Sequence, residues 1–331
     1  MTRRRFLLSS GAAAALASAI AAQQRKTKNL ILVTADGLRW QDLFTGIDPL
    51  LMKQKDAGMT ETGAPELRDR LWKPQPDERR MALLPYFWGT LAPSGVVLGN
   101  LTKGSSVHVT NRYRVSYPGY SEILTGRAQD DAIRGNDPVQ NPTPTFLQLV
   151  KERWKLPKEK VAVFGSWDMF HYIAESRRGD IFVNAGYEAS ALPAGNPRVA
   201  ELNKLQMQAR YLDDSARHDA FTFGLAMEYL KSVAPRLLFI AFDETDDWAH
   251  ETPLRPGAQI HSVSRRRASG TLDLGADIAR VPRFHHADRD LRSWARGHSG
   301  GLARPWQERR RRRADLDRGD RTRHAAQGGS Y

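Results

Sequence analysis

Leu237-Leu238-Phe239-Ile240-Ala241-Phe242-Asp243-Glu244-Thr245-Asp246-Asp247-Trp248-Ala249-His250 is the stretch on which the fold class turns. Its first six residues are apolar without a break, which is the pattern of a strand buried on both faces of a parallel sheet. The rest is acidic and ends in a histidine. Open α/β sheets hold ligands at the carboxyl ends of their strands, so chemistry is expected in a carboxylate-rich segment that directly follows such a strand. Asp246 and His250 stand four residues apart, and one turn of helix would aim a carboxylate and an imidazole at the same ion.

Working outward, similar apolar runs at 30–34, 96–101 and 161–164 predict further buried strands. Helical segments separate some of them. Thr143-Pro144-Thr145 precedes Phe146-Leu147-Gln148-Leu149-Val150 as a helix start with Pro in its first turn, and Asp219 is placed to cap a helix that ends before Pro235. The alternation predicts an α/β fold with a mostly parallel central sheet and helices on both faces.

The chain has 331 residues and no cysteine, so a disulfide framework and thiolate ligands are excluded. Any metal must be held by oxygen and nitrogen. Residues 1–250 carry 32 Lys and Arg against 28 Asp and Glu, whereas 251–331 carry 18 against 9, and all 18 are Arg. Most of the net charge of +13 thus belongs to the tail and does not mark the body as a nucleic-acid binder. Residues 251–331 read as an Arg-rich, disordered tail. At the other end, Thr2-Arg3-Arg4-Arg5-Phe6-Leu7-Leu8 precedes a small, weakly hydrophobic run at 11–22 with Ala-x-Ala sites, too short to span a bilayer. Residues 1–22 resemble a twin-arginine export signal, which implies recognition by the twin-arginine export machinery and a bacterial protein that is periplasmic or otherwise exported. The body is then 23–250.

Two more segments carry candidate chemistry. Asp36 follows the run 30–34 and precedes Gly37, so a carboxylate leaves a buried strand with no large side chain beside it; it reads as a metal ligand or as a turn residue. In Ser116-Tyr117-Pro118-Gly119-Tyr120-Ser121-Glu122-Ile123-Leu124-Thr125-Gly126-Arg127, Pro118 and Gly126 delimit a short helix with Ser116 at its start. A helix N-terminus favours negative charge by about 0.3–1 kcal/mol when exposed and up to ~2 when partly buried, which suits a nucleophilic alkoxide as well as a simple cap.

In order and context these segments resemble the alkaline phosphatase superfamily, especially its type I phosphodiesterases and nucleotide pyrophosphatases, over residues 28–250. The resemblance implies an alkaline phosphatase-like fold and a two-zinc site. Asp36 would bind one zinc, Asp246 and His250 the other, and Ser116 would be the metal-contacting nucleophile. Asn136, in Ile133-Arg134-Gly135-Asn136, would contact the phosphoryl oxygens of a small phosphoester substrate. Ser116 would attack phosphorus in line, and water would then release the phosphoseryl intermediate. Arg112, Arg114 and Arg127 are candidate phosphate clamps or basic surface residues, and Trp167-Asp168-Met169-Phe170-His171 is a candidate lining for the leaving group. Sulfatases, the nearest alternative, carry Cys/Ser-x-Pro-x-Arg, and Tyr120 stands here in place of the Arg. A non-catalytic exported binding protein on the same scaffold is the other alternative.

The pattern departs from the superfamily after His250. The resemblance calls for a strand followed by an Asp-His pair and for a last His, and no such order occurs in 251–331; His285-His286-Ala287-Asp288 has the reverse order. Read one base later with permitted codons, 283–294 can become Asp-Ser-Thr-Thr-Leu-Ile-Val-Thr-Ser-Asp-His-Gly, and 301–306 can become Asp-Trp-Arg-Asp-His-Gly. A slip of reading frame near His250 would therefore explain a sheet and metal site incomplete at the C-terminus and an enzyme that is inactive as written.

Overall fold

Backbone pairing gathers the apolar runs into one parallel sheet. The computed structural model describes residues 27–47, 69–210 and 215–251, and one further strand, Arg292–Ala295. The export segment 1–22 and most of the tail lie outside the described residues. The strands are β1 (Leu30–Ala35), β2 (Val161–Gly165), β3 (Phe182–Ala185), β4 (Leu237–Phe242) and β5 (Arg292–Ala295). Their order is β3-β2-β4-β1-β5, and every pairing is parallel.

β4 is central, and all six of its residues are buried. Its side chains alternate between two apolar clusters, as the strand pleat requires. Leu237, Phe239 and Ala241 join Leu32, Val161, Val163, Tyr117, Tyr120, Leu124 and Leu147 on one face. Leu238, Ile240 and Phe242 join Ile31, Phe164, Val199, Leu202, Leu225 and Leu230 on the other. Burying each large aliphatic or aromatic side chain here contributes about 1.5–3 kcal/mol relative to exposure. The first face is covered by α3 (Ser116–Thr125) and α4 (Phe146–Arg153), and the second by α5 (Pro197–Gln208) and α6 (Asp219–Val233). Helices therefore stand on both faces of an α/β fold. α1 (Trp40–Thr45) and α2 (Pro76–Leu83) carry Leu43, Phe44 and Leu83 into a separate small cluster. α7 (Glu244–Glu251) follows β4 after one residue. No helix among the described residues is long and apolar enough to cross a membrane.

Three expectations need correction. Residues 96–101 do not form a strand: Val96 is 86% and Leu98 66% exposed. Gly99 takes a φ of 94°, and Asn100 caps a 3-10 turn at Leu101–Lys103, so glycine and capping chemistry override the apolar run. Second, a strand does occur beyond His250, because Arg292–Ala295 pairs with β1 from Leu32 to Ala35. Ladder hydrogen bonds use backbone groups alone, so an open strand edge can pair with a segment that has no apolar pattern. Third, Pro144 precedes the α4 cap: Thr145 is the N-cap, in a capping box with Gln148. β3, only four residues long, was not legible as a strand.

Candidate active site

Two adjacent strand ends build the site. β1 and β4 run in register from Leu30 beside Leu237 to Ala35 beside Phe242, so Asp36 and Asp243 leave the sheet at the same level. Asp36 is buried; its N–H donates to the Phe242 carbonyl at 3.0 Å, and its Oδ1 accepts from the Gly37 N–H at 2.9 Å. Gly37 has a φ of 67°, and a Cβ there would lie 2.6 Å from Asp246 Cα and 2.9 Å from Asp246 Oδ1. The missing side chain is what lets α7 close onto the end of β1.

α7 presents the predicted pair. His250 Nε2 lies 3.1 Å from Asp246 Oδ2, one helical turn apart. The other oxygen, Asp246 Oδ1, is buried and has no hydrogen-bond partner among the described residues. The hydrogen bond to Asp246 pushes the His250 pKa up against the opposing effect of burial, and the charges of Asp36 and Asp247 add to the rise. Asp243 is pushed well above the usual carboxylate range, first by burial and then by the charges of Asp247, Asp36 and Asp246. Asp36, Asp246 and Asp247 thus crowd their carboxylates around the His250 imidazole, an arrangement that a cation would relieve. Among the described residues, no three His, Asp or Glu side chains already converge in a metal-ligand arrangement.

Ser116 is the first residue of α3, not its cap; Val115 holds the cap position in extended conformation. Asn136 joins it from a separate loop, anchored by buried Ile133, where Asn136 Oδ1 accepts the Tyr117 N–H at 2.9 Å. Thr34 Oγ1 contacts the hydroxyl of Tyr120 at 3.5 Å, linking α3 to the last residues of β1. Ser116 and Asn136 are therefore brought together, on a helix that packs against the strand leading to Asp36. In the segment after β2, Phe170 lies in the core and His171 Nε2 pairs with Glu188 at 3.1 Å.

A buried network that leaves no periodicity in the sequence lies beneath α7. Asp219 does not cap its own helix, whose cap position is His218. Its Oδ1 accepts from Ser166 Oγ at 2.6 Å and from the Asp243 N–H at 2.9 Å, and its Oδ2 accepts from the Glu244 N–H at 3.3 Å. Glu244 reciprocates: its Oε2 accepts the Asp219 N–H at 3.0 Å, and its Oε1 lies 3.0 Å from His218 Nδ1. Each carboxylate satisfies orphan amides at the start of the other's helix. Burial, and then the charge of Glu244, pushes Asp219 up to about 8. Next to it, Arg217 is fully buried and donates to Thr222, Asn184 and Gln206. Desolvation pushes that guanidinium down to about 9. The available signal was Arg217-His218-Asp219, three chargeable residues directly ahead of an apolar helix.

No family model, curated protein or solved structure matches this chain.

Proposed function

We propose that the chain is a metal-dependent phosphoester hydrolase related to the alkaline phosphatase superfamily, with Ser116 as nucleophile. The observation that carries this reading is the contact of Gly37 with Asp246, which puts Asp36, Asp246 and His250 around one strand end with Asp246 Oδ1 buried and unpartnered among the described residues. A buried carboxylate oxygen without a donor is costly, and a cation is the natural partner for it. Oxygen and imidazole donors suit zinc. As the resemblance implies, Asp36 would hold one zinc and Asp246 and His250 the other, with Ser116 as a metal contact, and the metal would supply Lewis-acid stabilisation of charge on the serine and phosphoryl oxygens.

The chain's own groups define the rest. Ser116 at the α3 N-terminus attacks phosphorus, forming the Oγ–P bond as the bond to the leaving oxygen breaks, and water then cleaves the phosphoserine. Asn136, with its oxygen engaged by the Tyr117 N–H, offers its Nδ2 donors to the phosphoryl oxygens. The remaining ligands that the superfamily resemblance calls for have no counterpart in order after His250, so turnover by the chain as written is expected to be far below that of a complete two-zinc enzyme. Export by the twin-arginine route is part of the same reading and rests on residues 1–22 alone.

Zinc content, turnover of a p-nitrophenyl phosphodiester and mass-spectrometric trapping of phosphoserine test the proposal together. Expected are substoichiometric zinc, slow turnover and a phosphopeptide that disappears with Ser116→Ala. Two tightly bound zincs with rapid turnover would overturn the reading of the tail, and slow turnover unchanged in Ser116→Ala would overturn the nucleophile. Sequencing the gene across codon 250 tests the frame slip, which stop codons closing the shifted frame would exclude.

A further inference from the structure

Three arginines flank α3, and their surroundings separate them. Arg112 is tied down by Asp130 at 3.4 Å and Asp131 at 3.7 Å. Arg127 donates to Thr143 Oγ1 at 3.3 Å. The guanidinium of Arg114 is exposed and forms no hydrogen bond or ion pair with any described residue.

The Arg114 backbone is held just as deliberately as its side chain is left open. Its φ is 50°, in the left-handed region that costs energy for a residue with a Cβ. The Arg114 N–H donates to Asn111 Oδ1 at 2.8 Å. Asn111 is buried, and its Nδ2 and N–H donate to Glu122 Oε2 at 2.7 and 3.0 Å. Glu122 sits on α3 itself, and its other oxygen takes the Thr110 N–H at 2.7 Å. The strained turn is thus bolted to the helix whose first residue is Ser116. One extended residue, Val115, separates Arg114 from Ser116, which puts their Cα atoms about 7 Å apart, within reach of an arginine side chain.

We infer that Arg114 is the anion-holding arm of this site, its guanidinium gripping two non-bridging oxygens of a tetrahedral phosphoryl group presented to Ser116. The inference rests on the proposed function for the placing of the ester. A planar fork of N–H donors matches a phosphoryl edge bidentately, which a lysine point charge does not. Arg112 cannot serve without leaving its aspartates. Arg114 selects for a tetrahedral oxyanion and sets its orientation toward Oγ.

The test is phosphate binding by the full chain, measured calorimetrically with inorganic phosphate at physiological ionic strength, with and without added zinc, alongside thermal melting. Arg114→Gly relieves the left-handed strain and removes the guanidinium, so it should melt about 2–4 °C higher while binding phosphate roughly tenfold more weakly. Arg114→Lys should recover only part of the affinity, and Arg112→Ala should bind like wild type. A wild type that does not bind phosphate, Arg114→Gly binding with unchanged affinity, or Arg112→Ala losing as much as Arg114→Gly would each overturn the inference. Zinc uptake is scored separately. Arg114-dependent phosphate binding without any zinc uptake would sink the metal reading and leave Arg114 in place.

Discussion

Replacing Asp219 with alanine probes the structure where the sequence said least. The carboxylate is 1% exposed and holds three donors: the Ser166 hydroxyl and the first amides of the α7 segment, from Asp243 and Glu244. Removing it strands two buried N–H groups, each costing about 1–3 kcal/mol. Removing a buried carboxyl whose ionisation burial and Glu244 both oppose returns part of this, so the net loss should be about 2–4 kcal/mol. Urea unfolding followed by circular dichroism measures it. Because Glu244 reciprocates by accepting the Asp219 N–H, a double-mutant cycle with Glu244→Ala should show a coupling of about 0.5–3 kcal/mol. Asp219→Asn, which keeps one acceptor oxygen, should lose less than Asp219→Ala. A loss under about 1 kcal/mol for Asp219→Ala, or additivity within about 0.5 kcal/mol in the cycle, would refute the reciprocal cap.

Gly37→Ala would place a Cβ 2.6 Å from Asp246 Cα at a φ of 67°, so it should cost about 2 kcal/mol or more and abolish any zinc uptake by Asp246 and His250; equilibrium unfolding with metal analysis checks both. Arg217→Met should cost about 3 kcal/mol or more, because it leaves the buried side-chain oxygens of Asn184 and Gln206 without their Arg217 donor; a shift in urea midpoint worth less than about 1 kcal/mol would contradict this. Burial raises Glu122, but hydrogen bonds from Asn111 and Thr110 outweigh it and hold its pKa below the usual value. The folded-state pKa is the lower one, so its stabilisation is present above the unfolded value near about 4.3 and fades as pH falls through the folded value. The stability gap between wild type and Glu122→Gln should therefore be about 1 kcal/mol at neutral pH, after allowance for solvent screening, and close in acid; a gap constant down to about pH 2 would contradict this.

Much of the fold was legible because burial leaves a local trace. Leu237–Phe242 had to be a strand covered on both faces, since six consecutive apolar residues have no polar side to turn to water, and the structure buries all six. Ser116–Thr125 ends where Gly126 takes a left-handed φ of 77°, a position that glycine marks in the sequence itself. Residues 96–101 carried the same apolar signal and form no strand, because periodicity does not reveal whether a partner strand or helix face is available to cover them.

The candidate site divides along the same line. The spacing of four between Asp246 and His250 determined that one helical turn would pair them, and it does, because helix geometry is local. That Gly37 must be a glycine because Asp246 fills the space of its side chain depends on β1 lying beside β4, a contact more than 200 residues distant in sequence. The same holds for Asn136 on the first turn of Ser116's helix and for Asp219 capping α7 from another helix. Sequence by itself determined the chemical types and the local spacing. Only the tertiary structure decided which amide each carboxylate satisfies, because a hydrogen bond is set by distance in space and leaves no periodicity in the chain.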